Sequence, residues 1–224
     1  MGYRLFSDVT ADVSEELMAG MPPVELVPMQ VELGGENYTY GPGGNLTVAH
    51  FYAEQRAGKF ASTSQINPMV YRECFEKVLK EGEDILYLCF SSGLSSTLQS
   101  ANLCAQELRE EYPERRLIVV DTLCAAVGEA MLVREAARKQ QEGLSIEELA
   151  AWVEENRLKI CHWFTVDSFD HLKHGGRVSA AAAVVGTMLQ IKPLLHVDEE
   201  GKLRVAEKPR GRKQAIRTQV AHMK

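Results

Sequence analysis

Hydroxyl side chains cluster directly after an apolar run in this chain. Residues 85–90 (ILYLCF) have the composition of a buried strand, and residues 91–97 (SSGLSST) contain four serines and one threonine. A helix is predicted to begin at the end of this loop. The first N–H groups of a helix have no partner within it and lie at the positive end of its dipole, so they can bind an anion without Lys or Arg. The pattern therefore predicts an anion-binding loop at residues 91–97.

Two kinds of anion, a phosphate or a carboxylate, fit this prediction. The chain has neither the GxxxxGK[ST] pattern nor the GxGxxG pattern, so it has no P-loop and no dinucleotide-binding loop. A phosphate-binding enzyme that acts on a nucleotide or a sugar phosphate at residues 91–97 is the main alternative. A serine hydrolase is a weaker one, because the loop lacks the GxSxG elbow and no His–Asp pair accompanies it.

Other candidate residues carry weaker signals. His171 and His174 can share one helical face, but no cysteine or carboxylate constellation completes a zinc site, so no metal is predicted. Asp8 and Asp121 follow apolar runs, where an aspartate most often forms a turn. The basic run at residues 210–213 has the composition of a solvated loop.

Composition and charge exclude several classes of function. The chain has 224 residues, enough for one or two domains, and its formal net charge of −6 argues against a nucleic-acid partner. No apolar run is long enough to cross a bilayer, and residues 1–9 lack the apolar core of a signal peptide. The five cysteines form no CxxC pair and are odd in number, which indicates reduced thiols and a cytoplasmic location.

Strands and helices alternate along most of the chain, which predicts an α/β fold with a parallel sheet and right-handed crossovers. Ligands of such sheets bind beyond the carboxyl ends of the strands, where the 91–97 loop lies. Residues 61–65 are expected in a loop, and Ser14 is expected to cap a short helix. The predicted strands are 4–6, 24–27, 29–33, 36–40, 85–90, 117–121 and 160–166, and the predicted helices are 48–56, 68–80, 124–141, 146–155 and one from the end of the 91–97 loop to about 111.

The pattern changes after residue 166. Residues 192–197 and 202–206 are predicted as two strands joined by a turn, and a helix is expected after residue 213. Residues 180–185 are expected to form a helix of small side chains, which could leave room for an elongated ligand. The predicted domains are an N-terminal one at residues 1–158 and a smaller α/β one at residues 159–224.

Five segments of the chain resemble the DegV family, and in particular the FakB-type fatty-acid-binding subunits of bacterial fatty acid kinase. They follow one another in the family's order and cover essentially the whole chain, which is far more specific than any single motif. These segments are TSQ (63–65), SSGLSST (91–97), FTVDSFDHLKHGGRVS (164–179), IKPLLHVDEEGKL (191–203) and PRGRKQAI (209–216).

The resemblance implies two α/β domains with a long-chain fatty acid buried between them. It implies that Thr63 and Ser95 hold the carboxyl group of that acid, with Ser64, Ser92 and Ser96 beside them. A separate fatty acid kinase subunit would phosphorylate the bound acid to an acyl-phosphate. The chain itself would then be a non-catalytic lipid-binding subunit without a further cofactor.

The resemblance also suggests how the ligand and the partner are approached. It implies that the basic loop with Arg210, Arg212 and Lys213 meets the kinase. From its place after two glycines, Arg177 is expected either at the ligand entrance or in a surface or interdomain ion pair. A transient contact with a membrane surface is compatible with this function. The residues expected to line the tunnel are Ala182, Val185, Met188 and Leu189.

The sequence departs from the family pattern in two places. Ser96 occupies the position of a glycine in the family's SGT motif, which adds a side chain near the carboxyl site. Family members continue for some tens of residues beyond the point where this sequence ends, so a shortened C-terminal domain is expected. A histidine in that further region normally helps to bind the carboxyl group, and no residue of this chain is assigned its role.

The physical chemistry of a fatty acid divides the work between tail and head group. Each buried CH₂ contributes about 0.8 kcal/mol, so ten of them contribute roughly 8 kcal/mol, which is on the scale of micromolar affinity. A neutral hydrogen bond adds only about 1 kcal/mol. The tail is therefore expected to supply the affinity, while Thr63 and Ser95 orient the carboxyl group.

Overall fold

Strands and helices alternate along the chain, as the sequence predicts. The computed structural model describes residues 2–178 and 190–223. The strands are β1 (Tyr3–Asp8), β2 (Val24–Val27), β3 (Met29–Leu33), β4 (Glu36–Tyr40), β5 (Ala61–Thr63), β6 (Asp84–Cys89), β7 (Leu117–Asp121), β8 (Trp163–Thr165), β9 (Leu194–Val197) and β10 (Leu203–Glu207). The helices are α1 (Val48–Arg56), α2 (Pro68–Lys80), α3 (Thr97–Glu111), α4 (Ala126–Gln141), α5 (Ile146–Asn156), α6 (Asp170–His174) and α7 (Arg212–His222), and Val9–Ala11 and Arg157–Lys159 each form one turn of 3-10 helix.

A four-stranded parallel sheet with the order β2-β1-β6-β7 lies at the centre of the N-terminal part. Every residue of β6 is buried, because helices cover both faces of the sheet. Side chains alternate along this strand: Tyr87 packs with α2 and α3 around Phe6 and Phe75, whereas Leu86 and Leu88 pack with α4 and α5. The predicted architecture, a parallel sheet flanked by helices, is confirmed.

Local signals at the helix starts act as predicted. Asn67 Oδ1 accepts a hydrogen bond from Met69 N at 2.9 Å, and Pro68 occupies the first turn of α2, where its missing N–H costs nothing. Ser145 and Glu148 form a reciprocal capping box at the start of α5. Both helices begin at the predicted residue because these signals are local.

An antiparallel sheet with the order β4-β3-β5 contains the TSQ segment. The prediction of a loop over residues 61–65 is wrong for Ala61–Thr63, which form β5 and pair with β3 so that Thr63 lies opposite Val31. These three residues carry no strand signal of their own, and the hydrogen bonds that make them a strand come from a partner far away in the sequence. Ser64 and the residue after it lie outside the strand, as predicted.

Two further local predictions need correction. The residues after Ser14 form only a turn, in which Ser14 Oγ accepts a hydrogen bond from Leu17 N at 3.1 Å, and no helix follows there. The strand predicted at residues 160–166 is limited to Trp163–Thr165, because pairing with β9 begins only at Trp163. The residues just before Trp163 pack against the start of α4 instead.

A second antiparallel sheet, with the order β10-β9-β8, forms the C-terminal part. The hairpin predicted from residues 192–206 is confirmed as β9 and β10. Its core contains Phe169, Val178 and Leu195. The strands of this sheet all follow residue 158, but the division into domains at residues 1–158 and 159–224 stays a prediction.

Several predicted features lie outside the described residues. They are the helix at residues 180–185 and the expected tunnel residues Ala182, Val185, Met188 and Leu189. Within residues 2–178 and 190–223, every helix is too short or too polar to traverse a bilayer.

Candidate ligand-binding site

The 91–97 loop packs against the turn between β9 and β10. Ser91, which is fully buried, donates from Oγ to the Gly201 carbonyl oxygen at 2.8 Å. Gly93 lies so close to the same turn that a Cβ atom there would be 2.4 Å from the Glu200 carbonyl oxygen. The loop therefore joins the parallel sheet to the C-terminal hairpin, and the Ser91 hydroxyl is engaged in that contact.

Two carboxylates at the ends of β1 and β7 hold the same loop from the other side. Asp8 Oδ2 accepts a hydrogen bond from Phe90 N at 3.0 Å. Asp121 Oδ1 accepts hydrogen bonds from Ser92 N at 3.2 Å and from Leu123 N at 3.0 Å. Both aspartates thus shape the turns beyond their strands, which agrees with the interpretation of the sequence.

Most backbone N–H groups of the loop are used within the protein. Those of Phe90 and Ser92 bind the two carboxylates, and those of residues 91, 93, 94, 95 and 97 donate to acceptors on Cys124, Ser91 and Ser95. Tertiary and loop contacts therefore satisfy these N–H groups. No acceptor is found among the described residues for the N–H groups of Ser96, Leu98 and Gln99 at the start of α3, and anion binding there stays a prediction. The carboxylates of Asp8 and Asp121 disfavour a phosphate beside residues 90–95, because they would repel it.

The hydroxyls later in the loop have different surroundings. Ser95 Oγ accepts a hydrogen bond from Thr97 N at 3.2 Å and lies 2.7 Å from Thr97 Oγ1, so Ser95 caps α3. Ser96 is exposed and makes no capping bond. Ser92, Ser95 and Ser96 together line an open hollow of about 440 Å³ at the start of α3.

Thr63 lies on a smaller cavity of about 210 Å³ between the β4-β3-β5 sheet and α1. The walls are mostly apolar or aromatic and include Tyr40 and Phe51. Thr63 and Ser95 therefore line different cavities, and their joint contact with one carboxyl group stays a prediction. Ser64 is exposed in the loop that follows.

A larger cavity of about 710 Å³ lies between the start of α4, the strand β8 and the 91–97 loop. This volume is within the range of small-molecule sites, about 300–1,000 Å³. Apolar side chains such as Met131 and Phe164 form most of its wall, and Leu94 contributes from the loop. Arg177, the expected entrance residue, lines it too, and its Nε donates to the Leu94 carbonyl oxygen at 3.1 Å.

His162 is a lining residue of this cavity that the sequence analysis did not single out. Its Nε2 accepts a hydrogen bond from Ala125 N at 3.3 Å, and its Nδ1 lies 3.2 Å from the Ile160 carbonyl oxygen, so a neutral ring protonated at Nδ1 satisfies both contacts. Burial lowers the pKa of His162 below its ordinary value of 6.5. Gly128 makes room for the ring, because a Cβ atom there would lie 2.1 Å from Nε2.

The prediction of a basic loop over residues 210–213 is wrong for Arg212 and Lys213, which form the first turn of α7 after Gly211. This basic segment is partly engaged in ion pairs. Arg212 Nη2 lies 2.5 Å from Asp167 Oδ1, which also contacts Lys192 Nζ at 3.1 Å, and both cations lower the pKa of Asp167. Arg210 and Lys213 are exposed. Arg212 therefore helps to hold this basic segment against the residues before α6, while Arg210 and Lys213 face solvent.

His171 and His174 both pack against one aromatic ring. Each imidazole centroid lies 4.9 Å from the centroid of Phe60. In the part of the chain that the structure describes, no group of three or more His, Cys, Asp or Glu side chains could hold a metal ion. These two histidines thus connect α6 to the segment that leads into β5.

Nearly the whole chain matches a known family. Residues 3–224 match the family described as uncharacterised protein, DegV family. A DegV domain-containing protein of Clostridium perfringens is 40% identical over 215 residues, which cover 96% of this chain and 74% of that protein. The match therefore includes both the N-terminal and the C-terminal sheet.

Solved structures agree with this assignment. A DegV family protein from Thermus thermophilus, described as binding fatty acid, has a TM-score of 0.83 and 33% identity over 100% of this chain and 77% of its own. The fatty acid kinase B3 protein of Streptococcus pneumoniae, solved with linoleic acid, has a TM-score of 0.86 and 21% identity over 100% of this chain and 78% of its own, a likeness of fold. The resemblance carried by the five motifs is confirmed: this chain belongs to the DegV family.

Proposed function

We propose that this chain binds a long-chain fatty acid and presents its carboxyl group to a separate kinase subunit. The observation that carries the proposal is the apolar cavity of about 710 Å³ that borders the 91–97 loop. The apolar wall suits a long tail, and the hydroxyls of the bordering loop, which line a separate hollow, suit a polar end. The Thermus thermophilus relative, described as binding fatty acid, supports the same ligand class.

The different roles of the tail and the head group follow from the free energies that each contributes to binding. Burial of about ten CH₂ groups contributes roughly 8 kcal/mol, whereas a hydrogen bond from Thr63 or Ser95 contributes about 1 kcal/mol. The tail therefore provides the affinity, and the hydroxyls orient the carboxyl group. Arg177 would stand at the entrance, where it is already bonded to Leu94 of the loop.

The kinase activity would reside in the partner. Arg210 and Lys213 are exposed and positively charged, and the ion pair of Arg212 with Asp167 holds the start of α7 in place between them. Such a basic segment can meet an acidic patch on a kinase subunit. The bound acid would then be the nucleophile that receives the phosphoryl group, and this chain would supply its orientation.

Extraction of the purified chain with organic solvent, followed by mass spectrometry, tests the proposal directly. We expect a long-chain acid in near-stoichiometric amount.

The Met131→Glu substitution should lower fatty-acid affinity by at least about tenfold, because it places a carboxylate in the apolar wall of the cavity. Met131 is 52% exposed, so the fold should tolerate the change.

Met69→Glu is the matched control. Met69 is 59% exposed on α2, away from the lining of the 710 Å³ cavity, so the same substitution should leave fatty-acid affinity unchanged. Equal losses in the two variants, or binding of ATP by this chain alone, would contradict the proposal and favour a phosphate-binding enzyme.

A further inference from the structure

Thr10 lies where the two cavities of the site meet. It belongs to the 3-10 turn Val9–Ala11, directly after β1, and it lines both the cavity of about 210 Å³ and the cavity of about 710 Å³. The first of these cavities contains Thr63, and the second contains Leu94 of the 91–97 loop. Thr10 is therefore the residue that connects the TSQ segment to the hydroxyl loop.

A fully buried carboxylate determines the position of Thr10. Asp8 Oδ1 accepts hydrogen bonds from Thr10 N at 3.0 Å and from the Thr10 hydroxyl. Asp8 Oδ2 accepts from Tyr87 OH and Phe90 N, both at 3.0 Å. Four donors occupy both oxygens of an ionised carboxylate. Asp8 thus ties Thr10 to the first residue before the hydroxyl loop.

The neighbouring acid, Glu129, is the better holder of a proton. One of its oxygens lies 3.5 Å from Ser7 Oγ, and the other has no hydrogen-bond partner among the described residues, although the side chain is fully buried. Asp8 and Glu129 are both fully buried, and the charge of Asp8 acts on Glu129, so the two carboxyl groups do not both ionise readily. The proton therefore resides on Glu129, and Asp8 keeps its charge and its four donors.

This arrangement limits what Thr10 can offer to a ligand. Its only hydroxyl proton is engaged by Asp8, and Glu129 also lies within hydrogen-bonding reach of the hydroxyl, so the remaining capacity of its oxygen is to accept one further hydrogen bond. A ligand group at Thr10 must then donate, as the O–H of a neutral carboxyl group or of an alcohol does. The charge of Asp8 also disfavours an ionised carboxylate at this place.

We propose that Thr10 is a binding residue that accepts a hydrogen bond from the O–H of the ligand's head group, and that Asp8 is its positioning residue. This inference rests on the proposed binding of a fatty acid. It adds that the head group binds at Thr10 as a hydrogen-bond donor, that is, as a neutral carboxyl group. The carbonyl oxygen of the same head group would accept from the hydroxyl of Thr63, which lines the cavity of about 210 Å³ together with Thr10.

Three ligands with the same tail test the inference by isothermal titration: a long-chain fatty acid, the corresponding alcohol and the methyl ester. Thr10→Val removes the hydroxyl at nearly constant volume. It should weaken binding of the acid and of the alcohol by about 5-fold and leave the ester, which has no O–H, unchanged. Thr10→Ser should restore the affinity for the acid and the alcohol.

Two further variants separate positioning from charge and from general damage. Asp8→Asn removes a negative charge, and this loss of repulsion alone would strengthen binding of an acid. If Asp8 instead positions Thr10, the same variant should bind the acid and the alcohol more weakly and the ester as before. Thr39→Val makes the same change as Thr10→Val on β4, where the Thr39 hydroxyl accepts from Gln30 Nε2 at 2.8 Å, and should change none of the three affinities.

The outcomes distinguish this inference from the proposed function. In one case, the unaltered chain binds acid, alcohol and ester, but Thr10→Val weakens all three equally or weakens none of them. That result would overturn the role of Thr10 and leave the proposed function intact. Absence of binding of all three ligands by the unaltered chain would overturn the proposed function, and the role of Thr10 with it.

Discussion

At the scale of single residues, the buried acid Glu129 is the clearest departure from ordinary protein chemistry. It is fully buried in the first turns of α4, and one of its oxygens has no partner among the described residues. Burial, and next the charge of Asp8, raise the pKa of Glu129 well above its ordinary value of 4.5. The Ser7 hydroxyl donates to the Leu88 carbonyl oxygen at 3.0 Å, so it can accept the Glu129 proton.

The sign of the pH dependence follows from this shift. In the unfolded chain Glu129 loses its proton near pH 4.5, whereas in the folded chain it keeps the proton to a higher pH. Its contribution to stability is therefore fully present below pH 4.5 and is lost as the pH rises through the folded-state pKa. The loss can reach about 1.4 kcal/mol per pH unit within that window.

Glu129→Gln removes this loss, because an amide stays neutral at every pH. We expect the variant to become more stable relative to the unaltered chain as the pH rises. The difference between their free energies of unfolding, measured in urea between pH 5 and pH 8, should therefore increase in favour of the variant. Glu110→Gln, an exposed change on α3, should give a pH profile parallel to that of the unaltered chain. A parallel profile for Glu129→Gln as well would refute a proton held at this site.

At the scale of elements, the start of α4 depends on a contact with another element. Leu123 and Ala126 have positive φ angles of 52° and 50°, which L residues adopt only at a cost. The N–H of Ala125 between them donates to His162 Nε2, and Gly128 leaves the space for that ring. The backbone conformation at the start of α4 is thus unfavourable for these two residues by themselves, and the hydrogen bond to His162 is a tertiary contact formed at the same place.

Gly128→Ala tests this contact, because helix propensity and the space around His162 predict opposite changes in stability. Helix propensity alone predicts a gain of about 1 kcal/mol. The structure predicts a loss of about 1–3 kcal/mol, because the new Cβ atom would lie 2.1 Å from His162 Nε2. Urea unfolding of the single variant and of Gly128→Ala with His162→Ala decides between them. The double variant should recover part of the loss; a stabilised single variant would show that the ring does not occupy this space.

At the scale of the whole molecule, the parallel sheet and the C-terminal hairpin meet at the 91–97 loop. Ser91 donates to the Gly201 carbonyl oxygen, and Arg177 donates to the Leu94 carbonyl oxygen. The cavity of about 710 Å³ is lined from both sides of this contact. A ligand in that cavity would therefore touch both parts of the chain and stabilise their contact.

Gly93→Ala should weaken this contact selectively. Its Cβ atom would lie 2.4 Å from the Glu200 carbonyl oxygen and 2.7 Å from Gly201 C, both backbone atoms that cannot move cheaply. We expect hydrogen exchange to accelerate in β9 and β10 more than in β6. In the control Gly2→Ala the new Cβ atom meets only Glu83 Oε2, at an ordinary 3.7 Å, and exchange should not change. Uniform acceleration through all sheets would argue against a local role for Gly93.

Prediction from the sequence succeeded for most local signals, although the capping residue Ser14 begins only a turn. The capping residues Asn67 and Ser145, the apolar run of β6 and the C-terminal hairpin all lie at or near their predicted positions. It failed for β5, whose strand character comes from β3, and it did not identify the acceptors of the N–H groups at residues 90–95 and 97. The acceptor for Phe90 N, just before the 91–97 loop, lies 82 positions away, on Asp8.

The sequence by itself determined the α/β class, the order of the elements and membership of the DegV family, because periodicity, caps and ordered motifs are properties of neighbouring residues. The tertiary structure alone decided that most backbone donors of residues 90–97 are already engaged, that Thr63 and Ser95 line different cavities and that Thr10 lines both the cavity of about 210 Å³ and the cavity of about 710 Å³. Those facts depend on which side chains meet across the sheet, and residues far apart in the sequence become partners only when the chain folds.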